Sequence, residues 1–150
     1  MLKSIKCYSV AALFFVANIS AGFAYNSGVS VKDVSVSDTT SVGERIVMPD
    51  CDAQVTMCTV VLPKDANTGW HYHKNLVFAF VEKGTLRVET EEGYTDFKAG
   101  ENVFEMQNKI HVGKNVGKGK VVLKVVYVGC KGVENSIMVD AIIKRQQAQK

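Results

Sequence analysis

The chain has no internal repeat, no long linker and no low-complexity tract, so nothing in it marks a second domain. Proline is nearly absent. The only two, Pro49 and Pro63, sit at margins of predicted strands, where a missing N–H does little harm. Charge of one sign is scarcely in excess: 18 Lys and Arg against 15 Asp and Glu leave +3. A long apolar run is lacking too, since the stretch Val10 to Ala17 is too short to span a bilayer convincingly. Preceded by Lys3 and Lys6 and followed by Ala21, Gly22 and Ala24, that stretch reads as a secretory signal, residues 1–24, in preference to a retained anchor. Cleavage after Ala24 would remove both lysines and lower the formal charge to +1 (3 − 2). Nucleic-acid binding then loses its electrostatic footing. The expected product is one domain, residues 25–150, with a core at about 45–130 and a tail at 137–150. It is periplasmic or secreted and has no membrane contact.

Cysteine is also sparse. Without Cys7, the set is Cys51, Cys58 and Cys130, an odd number that permits at most one internal disulfide in an oxidising compartment.

After a Ser/Thr/Val-rich lead-in from Val29 to Val42, short apolar-alternating runs are separated by glycine-bearing turns, the rhythm of an all-β chain. Strands are predicted at Val55–Leu62, Gly69–His73, Val77–Val81, Thr85–Thr90, Tyr94–Phe97, Asn102–Glu105, His111–Asn115 and Val121–Val128. Breaks fall at Lys83-Gly84, Glu92-Gly93, Ala99-Gly100 and Gly117-Lys118-Gly119. The tail from Ile137 is a short helix or a loose end. Eight short antiparallel strands suit a double-sheet jelly roll or small barrel, in which the first and last strands pair. If Leu62 stands opposite Val121, the same register brings Cys51 near Cys130 and turns Cys58 toward the ladder's interior. A Cys51–Cys130 bridge is therefore favoured over Cys51–Cys58, and over none.

All three histidines fall where one metal ion could gather them. In an extended Gly69-Trp70-His71-Tyr72-His73, residues i and i+2 share a face, so His71 and His73 stand side by side. His111, from another strand, completes a facial set with cis positions open to water or substrate. Trp70 and Tyr72 alternate with the histidines and face away. Val77, Ala79 and Val81 have inward parity and suggest a small apolar pocket.

Gly69-x-His71-x-His73 with Gly84 eleven positions on, and Gly100, His111 and Asn115 spaced eleven and four apart, resemble the two cupin motifs. Thr68-Gly69-Trp70-His71-Tyr72-His73 and Phe104-Glu105 resemble most the small quercetinase-like cupins. The resemblance implies a cupin-type double-stranded β-helix, a jelly-roll barrel, and a homodimer joined through edge strands. Two positions depart from the pattern. The glutamate that follows His-x-His in three-histidine, one-glutamate cupins is replaced by Val77, or by Phe78 in the longer spacing. The Pro-x-Gly of the second motif is replaced by Met106-Gln107-Asn108.

Glu105 is the acid on the strand leading to His111. It is either a solvated strand-end residue or, pointing inward, a ligand or a base for bound water. Glu82, beside Lys83 at a turn, is read as solvated, and Asn115 as a turn-fixing side chain. The implied cofactor is one divalent transition metal, Fe, Mn, Ni, Cu or Zn, all of which accept imidazole. Three functions stay open: a metal-dependent, dioxygenase-like enzyme acting on a small organic molecule, a cupin that binds or senses a metal or small ligand without turnover, and a structural β-domain.

Overall fold

The computed structural model describes residues 26, 28–32 and 34–139. The chain divides into two units, Met1–Lys32 and Asp33–Lys150. In the first, the described residues show one backbone hydrogen bond, from the Val29 N–H to Asn26 O at 3.2 Å. The predicted signal, residues 1–24, and the tail from residue 140 lie outside the described residues. Among the described residues no helix is long and apolar enough to cross a membrane.

The second unit holds nine strands among its described residues: β1 (Ala53–Leu62), β2 (His71–Tyr72), β3 (Leu76–Lys83), β4 (Thr85–Thr90), β5 (Gly93–Lys98), β6 (Asn102–Phe104), β7 (Val112–Asn115), β8 (Val121–Cys130) and β9 (Ile137–Met138). They form a four-stranded sheet in the order β1-β8-β3-β6, a three-stranded sheet β5-β4-β7 and a two-stranded ribbon β2-β9. All pairings are antiparallel. Alternation drives the layering: Val77, Ala79 and Val81 of β3 and Val121, Leu123 and Val125 of β8 are buried, while Lys124 between them is exposed. These side chains meet Leu86 and Val88 of β4, Phe97 of β5 and Val103 of β6 in one core between the two larger sheets. Val77, Ala79 and Val81 are thus members of the packed core.

The turn at Gly84 shows why that position is glycine. Its φ is +88°, and a Cβ there would lie 2.8 Å from the Lys120 carbonyl oxygen.

β1 and β8 pair with Leu62 opposite Val121 and Ala53 opposite Cys130. At the end of this ladder Cys130 is joined in a disulfide to Cys51, just ahead of β1, their Cα atoms 5.7 Å apart. Cys58 departs from expectation. It pairs with Val125, which is buried, yet Cys58 itself is exposed. The reason is that β1 is an edge strand bonded only to β8, and only Leu62 at its far end reaches full burial.

Two further differences concern segments near the histidines. The predicted strand Gly69–His73 shortens to His71–Tyr72, and Ile137–Met138, expected as helix or loose chain, is the strand that pairs with it. A two-residue strand carries too little periodicity to be read from sequence; it forms because a partner lies beside it.

Candidate metal centre

The backbone brings the histidines together before their side chains do. His71 and His111 form an isolated antiparallel bridge in which each N–H donates to the other's carbonyl at 2.9 Å. Directly opposed residues project to the same side. His73, two positions on from His71, follows it to that side. The ring centroids lie 4.8 Å apart for His71 and His73, 4.5 Å for His71 and His111, and 5.0 Å for His73 and His111. All three residues are buried, with 7%, 2% and 1% exposure for His71, His73 and His111. The donor atoms they offer lie within 4.8 Å of one another, close enough for one ion.

Each ring is fixed from behind by a main-chain oxygen. The Nδ1–H of His71 donates to Gly69 O at 2.8 Å, that of His73 to Asn135 O at 2.6 Å, and that of His111 to Lys109 O at 2.8 Å. A carbonyl can only accept, so each Nδ1 carries the proton and a neutral ring presents its bare Nε2 on the other side. Metal-binding imidazoles are oriented in this way. Thr68 steadies the approach: its N–H donates to Gly113 O, and its hydroxyl oxygen accepts from the Gly113 N–H, both at 2.9 Å.

Glu105 follows β6 and turns inward, its backbone N–H donating to Val77 O at 2.9 Å. Its Oε2 lies 3.0 Å from His73 Nε2 and 3.4 Å from His111 Nε2, and its side chain is 12% exposed. These are ion-pair distances, yet Glu105 Oε2 and His111 Nε2 are both buried without a hydrogen-bond partner. Burial works to raise the carboxyl's pKa, and contact with His111 and then His73 outweighs it, holding the group down to about 2. For His111, burial opposes the charged form, but Glu105 prevails and its pKa is raised. His71 is lowered by burial, helped by repulsion from His111 and His73. An ionised carboxylate thus faces bare ring nitrogens, and acceptors meet acceptors. A cation reconciles them: a proton near His111, or a metal ion held by the three histidines beside the carboxylate.

The remaining predicted residues fall out as follows. Asn115 is a turn-fixing residue: its Nδ2 donates to the carbonyls of Leu62 at 3.1 Å, Pro63 at 2.8 Å and Gly119 at 2.7 Å, and its Oδ1 accepts from the Gly117 N–H at 3.0 Å. Glu82 is exposed and lies 3.7 Å from Lys124. Trp70 is 40% exposed and Tyr72 half-buried, both away from the cluster's buried side.

Residues 58–127 match the cupin domain family. The fold is the cupin β-barrel. Among solved structures, DMSP lyase DddQ from Ruegeria pomeroyi DSS-3 is similar with a TM-score of 0.50 at 15% identity, covering 57% of this chain and 43% of that one. A Cupin 2 conserved barrel domain protein from Salinispora arenicola CNS-205 gives 0.46 at 15% identity, covering 70% and 80%. An oxalate oxidase in complex with the substrate analogue glycolate gives 0.44 at 23% identity, covering 49% and 41%. The chain thus spans less than half the length of the lyase and oxidase chains it matches, and at 15% identity the likeness to the lyase is one of fold. No curated protein sequence matches.

In this cupin barrel, the positions after His-x-His that hold a glutamate in three-histidine, one-glutamate cupins are occupied by the buried Val77 and half-buried Phe78, and the carboxylate that stands against the histidines is that of Glu105, 3.0 Å from His73 Nε2. The loop that replaces Pro-x-Gly is also accounted for. Asn108 takes a left-handed φ of 55°, which asparagine tolerates, and its N–H donates to His73 O at 2.7 Å. Gln107 Nε2 donates to Lys74 O at 3.1 Å, so the loop feeding His111 is tied to the chain carrying His73.

Sequence reasoning missed Asn135, Ser136 and Tyr127. The Ser136 hydroxyl lies 3.3 Å from His73 Nδ1, and the Tyr127 ring centroid 5.8 Å from that of His73. Asn135 acts on His73 through its backbone, which any residue could supply, so no signal marked it.

Proposed function

We propose that this chain is an extracytoplasmic metal-binding cupin: a metal-dependent enzyme acting on a small organic molecule, with dioxygenase-like oxidation as its reaction class. The observation that carries this reading is the meeting of the Glu105 carboxylate with histidine nitrogens whose Nδ1 protons are all committed elsewhere. His71, His73 and His111 fit one divalent transition ion, Fe, Mn, Ni, Cu or Zn, with Glu105 beside two of them, and the ion when bound supplies Lewis-acid polarisation of a substrate's oxygens. Glu105, ionised at all ordinary pH, serves as ligand or accepts a proton at Oε2. The Cys51–Cys130 disulfide supports an oxidising compartment, and with it the reading of residues 1–24 as a secretory signal.

A non-catalytic role, binding or sensing a metal or small ligand, is the second reading. It is favoured by the near-complete burial of His73 and His111, which leaves little room beside the ion. Elemental analysis of protein from its native compartment, with His73→Ala in parallel, tests the metal. Near-stoichiometric metal lost on substitution is expected, and unchanged content would exclude these ligands. Oxygen uptake with enediols, flavonols and diketones then separates enzyme from binding module, a flat response favouring the latter.

A further inference from the structure

His73 differs from its two partners in what holds it. The Nδ1 protons of His71 and His111 go to carbonyls two residues back, on their own loops. That of His73 goes to Asn135, 62 residues further along the chain. A local carbonyl arrives with the histidine's own backbone, but a distant one has to be brought and kept there.

Asn135 lies in the strap between β8 and β9. The strap's root is fixed by the Lys131 N–H donating to Asp52 O at 2.9 Å and the Val133 N–H to Cys130 O at 3.1 Å. Its far end is fixed by the β2–β9 pairing and by the Val139 N–H donating to Trp70 O at 3.0 Å. Between these anchors Asn75, just ahead of β3 and 5% exposed, donates from Nδ2 to Asn135 Oδ1 at 3.0 Å. The Asn75 amide lies against bare backbone: a Cβ at Gly129 would fall 1.9 Å from its Oδ1. Three separate parts of the chain thus meet to set one carbonyl against one imidazole.

We infer that Asn75, seated on Gly129, is a positioning residue of the metal centre: through Asn135 it holds the strap's carbonyl on His73 Nδ1 and so aims His73 Nε2 at the ion. The inference rests on the metal-binding reading above. With Nδ1–H pinned, the ring keeps one tautomer and one orientation; once the pin is loosened, both become free, and metal affinity falls with them. Loss of such an outer partner costs about 10- to 100-fold in affinity. The accepting atom on Asn135 is an oxygen that aspartate also has, so Asn135→Asp keeps the bond from Asn75 while Asn135→Ala removes it.

The test is zinc titrated into the metal-stripped full chain against a competing chelator, with the melting temperature of each metal-free variant recorded alongside. Asn75→Ala and Asn135→Ala are each expected to weaken zinc about 10- to 100-fold, and the double variant no more than either alone, because both break one bond. Asn135→Asp retains wild-type affinity. Wild-type affinity in both alanine variants would overturn the inference, as would an Asn135→Asp variant as weak as Asn135→Ala. Should Asn75→Ala fail to fold, the half-buried Asn135 pair decides alone. A wild-type chain that takes up no zinc would sink the metal-binding reading itself, a result distinct from wild-type zinc uptake that ignores Asn75.

Discussion

Glu105→Gln should lower metal affinity and, separately, remove a pH-dependent contribution to the stability of the metal-free protein. The carboxyl of Glu105 is brought from an ordinary 4.5 to about 2 by His111 and His73, against burial, which is worth about 3 kcal/mol of preference for the anion. Glutamine has the same shape and none of that charge, so it removes the anion a divalent ion would meet, and zinc affinity at pH 7 is expected to fall about 10- to 100-fold. In the metal-free protein the variant gives up the stability tied to that shift, which is present above pH 4.5 and is lost as pH falls toward 2, and glutamine offsets part of it. The glutamine amide can donate to a ring nitrogen, which gives the buried His111 Nε2 the partner it lacks. The pH profile shifts as well. His111 is raised, so it holds its proton to a pH above 6.5, and zinc must displace that proton. Wild-type affinity should therefore begin to fall, by about tenfold per pH unit, at a pH above 6.5, and in Glu105→Gln the onset should move lower. Chelator-competition titrations from pH 5.5 to 8, with urea melts of the stripped protein, check each part. Unchanged affinity and an unchanged onset would refute the reasoning and return Glu105 to a purely structural role.

Replacing both Cys51 and Cys130 by serine opens a bridge of sequence separation 79, for which loop entropy gives about 4.5 kcal/mol. A urea midpoint corresponding to less than about 1 kcal/mol of loss would contradict it. Asn115→Ala strips contacts to three carbonyls at a 5% exposed site, and about 2–3 kcal/mol of destabilisation is expected in the same assay. Homodimerisation is expected along β1, a ten-residue edge strand without a charged residue, whose Val55, Met57 and Val61 are 60%, 75% and 51% exposed. Light scattering should show a dimer that Met57→Lys converts to a monomer, and a monomeric wild type would exclude it.

The barrel was largely legible because β-structure writes itself locally. Alternation along Val77–Val81 and Val121–Val125 marks buried faces, and glycine at position 84 marks a turn. Pairing the first and last strands left their register open; supposing Leu62 opposite Val121, which the structure shows, brings together the cysteines near the ends of those strands. Cys58 shows the limit of such reasoning. Parity told which face it shares, but whether that face is covered depends on what lies beside β1, and no residue of β1 encodes it. β9 was missed for the same reason: Ile137–Met138 is extended only because His71–Tyr72 is there to pair with.

Spacing in the sequence alone determined which residues could form the centre, since two histidines at i and i+2 and a third from another strand need only an extended backbone to share a side. Only the tertiary structure decided how the centre is finished. Glu105 comes in at the end of a strand through its bond to Val77, and the proton on His73 is fixed by the carbonyl of Asn135, 62 residues away. Side-chain direction within a strand is set by neighbouring residues and can be read from them. A hydrogen bond between distant backbones depends on the fold that closes the loop, and residue types along the chain leave no trace of it.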